Sequence, residues 1–120
     1  MGNTDLILQW SKLISLTEDQ VDKLPQDIEG AFRISKKEGD DRFYVVFIGS
    51  STDLKKELKK LIAEKKTNFL EHNGEFSFRY APVKGVEIRK AIEKQLYRQY
   101  APEYNSKEPE SSLDVKANLN

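Results

Sequence analysis

The sequence predicts an α+β fold, a small antiparallel three-stranded sheet flanked by helices, on three observations. Residues 31–35 alternate Phe32 and Ile34 against Arg33 and Ser35, and residues 42–48 form a continuous aromatic and β-branched run. Leu54, Leu58, Leu61 and Ile62 then make one stripe at helical spacing. A chain of 120 residues, 38% hydrophobic and 33% charged, holds one compact domain.

Leu6, Trp10, Leu13 and Ile14 recur at helical spacing, which predicts a first helix over residues 4–15 with Trp10 as its anchor. Thr17 caps a second, shorter helix, with Gln20 three residues later completing a capping box, and Pro25 ends it. Residues 1–25 therefore read as an N-terminal helical extension. At Gly30 the period changes. Residues 31–35 form a half-buried strand, Lys37-Glu38-Gly39-Asp40-Asp41 supplies turn chemistry, and residues 42–48 return as the second arm of a hairpin. The returning strand, apolar on both faces, is expected at the centre of the sheet with helices on either side. Gly49 breaks it, and the polar run Ser50-Ser51-Thr52 is expected to cap the leucine-striped helix, whose other face is lysine. Residues 67–75 hold His72 and the turn signal Asn73-Gly74; Phe76, Phe78 and Tyr80 then alternate in a third strand that Pro82 and Gly85 end. Residues 86–100 predict a helix buried through Ile88, Ala91, Ile92 and Leu96 and stopped by Ala101-Pro102. Beyond Asn105 the composition is too polar to pack, so residues 106–120 read as a disordered tail and residues 26–105 as the domain proper.

Zero cysteines exclude a disulfide framework, thiolate zinc sites and cysteine nucleophiles. A single histidine, His72, argues against imidazole-rich metal sites and Ser-His-Asp triads. No apolar run is long enough for a membrane span, and residues 1–8 lack signal-peptide character, so no membrane partner is expected and the expected location is intracellular: cytoplasmic, or nuclear in a eukaryote. The net charge of zero hides an uneven distribution. Residues 1–41 carry nine acids and five bases, residues 50–66 six lysines against three acids, and residues 84–100 five bases against two acids. Two basic helices on one side of a small domain would contact phosphates; solvated lysine faces are the plainer reading.

Gly30-Ala31-Phe32 on the first strand, Phe47-Ile48-Gly49 on the second and Leu54-Lys55-Lys56-Glu57-Leu58 on the following helix resemble the GIY-YIG nuclease domain. Ala91-Ile92-Glu93 with Leu96, followed by Tyr100-Ala101-Pro102-Glu103-Tyr104-Asn105, is similar to that family's glutamate helix and its closing proline-x-tyrosine-asparagine. The match spans about Leu24 to Asn105. The resemblance implies a β-β-α-β-α core and, in active members, phosphodiester hydrolysis with one divalent cation, Mg2+ or Mn2+. It places Glu93 as the metal ligand and Asn105 as the terminal asparagine. Phe32 and Phe47 stand where the family carries its two tyrosines, and a phenyl ring has neither acceptor oxygen nor dissociable proton. Glu57 stands where an arginine would neutralise the phosphate, which reverses the charge. Ser50 stands where some members carry lysine.

Each of these residues also has a plainer use: Phe32 and Phe47 as core aromatics, Glu93 as an ion-paired helix residue, Asn105 as a turn terminator. Arg79 reads as solvent-exposed, His72 as a solvated loop residue, and Tyr97 and Tyr100 as packing residues rather than base-stacking ones. The expectation is a GIY-YIG-like domain with a degenerate site that binds DNA or RNA through Lys55, Lys56, Lys59, Lys60, Arg89 and Lys90 without efficient cleavage. An active metal-dependent endonuclease and a scaffold that docks a protein partner are the alternatives.

Overall fold

The computed structural model describes residues 4–39, 42–64, 75–105, 108–111, 113 and 115–119. The elements run β1 (Thr4–Leu6), β2 (Ile14–Ser15), α1 (Glu18–Asp22), β3 (Gly30–Glu38), β4 (Arg42–Ser51), α2 (Leu54–Ala63), β5 (Phe76–Pro82), α3 (Val86–Tyr100) and β6 (Val115–Ala117). His72 and the Asn73-Gly74 turn signal lie outside the described residues. The fold is α+β. Its main sheet has four strands rather than the three expected, antiparallel throughout, in the order β2-β5-β3-β4; β1 and β6 form a separate parallel pair.

The hairpin of β3 and β4 forms as the alternation predicts, but β3 is the strand covered on both faces and β4 is the edge of the sheet. Small residues at the start of β3 explain the exchange. Gly30 lies against β5 so closely that a Cβ there would sit 2.2 Å from the Ala81 carbonyl oxygen, and Ala31 faces Ala81 across the ladder. The apolar run of β4 begins outside the core, with Tyr44 half exposed. A bulge between Ile34 and Ser35 leaves Val46 without a ladder partner on β3 and turns it into the core.

Helices cover both faces of this sheet. On one side Leu54 and Leu58 of α2 and Val21 of α1 pack on Phe32, Ile34 and Phe78. On the other, Ile92 and Leu96 of α3 pack on Ala31, Ile48 and Ala81. Successive residues of β3 point to opposite faces, so Ala31 and Phe32 enter different layers. Among the described residues no helix is long and apolar enough to cross a membrane.

Two expectations about the flanks are overturned. Residues 4–15 are not a helix: they run extended through β1 and β2, with Leu6, Leu8 and Trp10 packed in the layer under α3 while Ile7 is 85% exposed. The spacing that suits a helix at Leu6 and Trp10 also fits a period of two through Leu8, and pairing decided between them. The tail is not free either. Gln95 donates to the Ala117 carbonyl and accepts from its N–H, both at 2.9 Å, and Asn118 does the same for Leu8 at 2.9 and 2.6 Å. Side-chain amides standing in for a strand hold a polar segment that has little apolar surface of its own.

Candidate functional site

The two tripeptides lie side by side. Phe32 pairs with Gly49 and Ile34 with Phe47 in the β3–β4 ladder. The Phe32 ring covers Gly49, where a Cβ would come within 2.7 Å of the ring Cζ, so glycine is required at that position by the aromatic across from it. Phe32 and Phe47 meet with ring centroids 6.1 Å apart and tilted by 34°. Phe32 is fully buried, and both rings belong to the layer under α2. Glu57 is half-buried on α2, in the same layer.

Glu93 is on α3, across the sheet from that aromatic pair. Its Oε2 accepts a hydrogen bond from Ser50 Oγ at 2.7 Å. The Ser50 oxygen lies 3.4 Å from Nη1 of Arg89, and Arg89 Nε donates to Glu29 Oε2 at 2.8 Å. Glu29 also accepts from the Gly85 N–H at 2.9 Å, which ties the loop before β3 to the start of α3. Burial pushes the Glu93 carboxyl above its ordinary value, against the opposing pull of the Ser50 hydroxyl and the Arg89 and Lys90 charges. The Gly85 N–H and the Arg89 guanidinium together hold Glu29 below its ordinary value. A line of contacts from Glu29 through Arg89 and Ser50 to Glu93 thus joins α3 to the end of β4. Ser50, where the resemblance allows lysine, is the hinge of it.

Asn105 closes the edge of the sheet. Its Oδ1 accepts from the Ile48 N–H and its Nδ2 donates to the Ile48 carbonyl, both at 2.9 Å, while the Tyr104 N–H donates to the Val46 carbonyl at 2.9 Å. One side-chain amide thereby satisfies both outward groups of a residue that is only 1% exposed.

The six basic residues do not share a surface. Lys55 donates to the Asp22 carbonyl and Lys59 pairs with the Asp22 carboxylate at 2.8 Å, so both serve to dock α2 on α1. Lys56 and Lys60 are exposed on α2, and Lys56 borders a cleft of about 430 Å³ that Asp27, Asp53 and Gln26 also line. Lys90 is exposed on α3 and Arg89 is buried in its pair with Glu29, both on the opposite side of the sheet. The two basic helices do not lie on one side of the domain, because α2 and α3 pack on different faces of the sheet.

Glu93 is the residue that the resemblance assigns to Mg2+ or Mn2+, a cation that takes oxygen ligands and keeps several waters. Among the described residues no group of three or more carboxylate or imidazole side chains converges there or elsewhere. The Glu93 carboxylate already accepts from Ser50 and stands in the field of Arg89 and Lys90, which leaves a cation to compete with those partners. Two participants had no signal in the sequence that marked them out. Glu29 meets its partner 60 residues away, and Arg33, which alternates with Phe32 and Ile34 on β3, is 6% exposed. No family model, curated protein or solved structure matches the chain.

Proposed function

We propose that this chain is a GIY-YIG-like domain whose nuclease site is degenerate and which binds nucleic acid, without efficient cleavage, through the exposed lysines of α2. The observation that carries this reading is the aromatic pair: where the resembled family places two phenols, Phe32 and Phe47 fill a hydrophobic layer with no acceptor or dissociable proton, 6.1 Å apart. Glu57 adds to it, since a half-buried carboxylate on the same layer repels the phosphate that an arginine would attract. Lys56 and Lys60, with no ion pair among the described residues, supply the charge that remains for phosphate contacts.

Binding to a short DNA duplex and to an RNA of the same sequence, measured across salt concentrations, tests this. The affinity should fall with a slope of about −0.9 per phosphate neutralised on duplex DNA, and Lys56→Ala with Lys60→Ala should lower that slope by about two contacts. A flat salt response refutes the binding part. Supercoiled plasmid with Mg2+ or Mn2+ should stay intact; cleavage that Glu93→Ala abolishes refutes the degenerate site and favours an active endonuclease. Cleavage gained by Phe47→Tyr together with Glu57→Arg would support loss of the catalytic groups as the reason for inactivity.

A further inference from the structure

Arg33 is a buried cation that meets no anion among the described residues. It projects from the middle of β3 and is 6% exposed, yet it makes no ion pair among the described residues. Its Nη1 donates to two neutral oxygens, the Tyr100 hydroxyl at 2.7 Å and the Leu119 carbonyl. Its guanidinium lies 4.6 Å over the Trp10 ring and 5.5 Å from the Tyr100 ring. Directly across the ladder stands Arg79, a second cation. Burial, and to a lesser degree the neighbouring Arg79 charge, press the guanidinium toward losing its proton against the opposing pull of Tyr100; an arginine does not deprotonate, so the place is held at an electrostatic cost.

The oxygen that meets Arg33 belongs to the C-terminal segment, which reaches the site just after β6. The described residues of the tail, 108–111, 113 and 115–119, lie along α3 as a strap held by Arg98 on Glu108, Lys94 on the Ser111 carbonyl, Gln95 on Ala117 and Asn118 on Leu8, and by the pairing of β6 with β1. Of its described residues only Ala117 is buried, and a cleft of about 360 Å³ separates Leu113 and Val115 from α3. Trp10 donates its indole N–H to the Asn118 carbonyl at 2.7 Å, so the same short stretch covers both the cation and one of its aromatic walls.

We infer that Arg33, with Arg79 beside it and Trp10 and Tyr100 as walls, is a binding site for a phosphate group, and that residues 115–119 occupy it as a built-in competitor. The Leu119 carbonyl stands in for a phosphate oxygen. An anionic oxygen in its place forms charge-assisted hydrogen bonds, roughly twice as strong as those to a neutral acceptor, and removes the unbalanced charge. The strap sets the apparent affinity, because only the fraction of molecules with the segment lifted is competent to bind. This site is on the α3 side of the sheet, apart from the lysines of α2.

Trp10 is the sole tryptophan of the chain and reports directly on the site. Its fluorescence is followed while the full chain is titrated with inorganic phosphate, and anisotropy follows labelled tetrathymidylate. Gln95→Ala with Asn118→Ala loosens the strap without touching Arg33 and should tighten phosphate binding about tenfold. Arg33→Met should abolish it, with folding checked by circular dichroism. On the unsubstituted chain, the Arg33 Nε–H resonance should move as phosphate is added, a readout independent of any variant. A saturable response to phosphate alone supports a small phosphate ligand, and tighter binding of tetrathymidylate that also needs Arg33 supports a single strand. Absence of saturable binding to the loosened variant, or an equal response in Arg33→Met, overturns the inference. Lys56→Ala with Lys60→Ala should leave the Trp10 response unchanged, which separates this site from the α2 surface.

Discussion

Replacing Asn105 by alanine removes a side chain that the resemblance places among the site residues but whose hydrogen bonds, among the described residues, go to the backbone of Ile48. Each of the two orphaned groups is buried at the sheet edge, and leaving one unsatisfied costs about 1–3 kcal/mol, so the pair should cost about 2–4 kcal/mol allowing for some access of water. That is a large part of the roughly 5–15 kcal/mol that holds a domain of this size together. With a urea slope of about 1.5 kcal/mol/M, the unfolding midpoint should drop by about 1.3–2.7 M. Asn105→Asp sharpens the test. An ionised carboxylate still accepts from the Ile48 N–H but repels the Ile48 carbonyl, whereas its protonated form restores both bonds. The aspartate's folded-state pKa must then lie above its unfolded one, so the damage should shrink as pH falls through that window and reach its full size above it. Urea melts of both variants at several pH values measure this. An Asn105→Ala loss below about 0.5 kcal/mol, within the range of ordinary surface substitutions, or a pH-independent Asn105→Asp, would refute the clamp.

Glu93 is raised above its ordinary value of 4.5, so its ionisation opposes folding: the unsubstituted chain should lose stability as pH rises from that value through the folded-state one. Glu93→Gln keeps an acceptor for Ser50, should be flat over that range, and should be the more stable protein at neutral pH in thermal melts. Gly49→Ala drives a methyl into the Phe32 ring and should cost about 1–3 kcal/mol, much of it recovered in the Phe32→Leu background in a double-mutant cycle. Ala101 ends α3 in the left-handed conformation at φ 44°, which disfavours a side chain, so Ala101→Gly should stabilise by about 0.5–1 kcal/mol in denaturant melts.

The sequence was most legible where one periodicity had no competitor. Residues 86–100 form the expected helix to the residue, and Thr17 caps α1 by accepting from the Gln20 N–H as its spacing suggested. The α2 cap is displaced by a little: β4 continues through Ser51, and Asp53 rather than the preceding serines accepts from Lys56 N–H. Residues 4–15 depart from the helical expectation because Leu6 and Trp10 satisfy two periods, and the choice rests on β5 and β6, far along the chain. The segment after Asn105 packs against expectation because its anchors, Gln95 and Asn118, carry no hydrophobic signal. The candidate site was legible in part: the tripeptides do meet across a ladder, but which face of the sheet each side chain enters depends on the packing of α2 and α3, which spacing alone does not encode.

The parallel pairing of β1 with β6 joins residues about as distant in sequence as this chain permits, Thr4 with Val115 and Leu6 with Ala117. A loop of that span costs only about 0.6 kcal/mol more for each doubling in length, but its closure gains nothing until α3 and β5 are in place to receive both ends. The seam should therefore be the last part of the molecule to assemble and the first to open. Amide hydrogens at Leu8 and Ala117 should exchange through local opening well before those of Ile34 and Phe78, which are released only when the whole sheet comes apart.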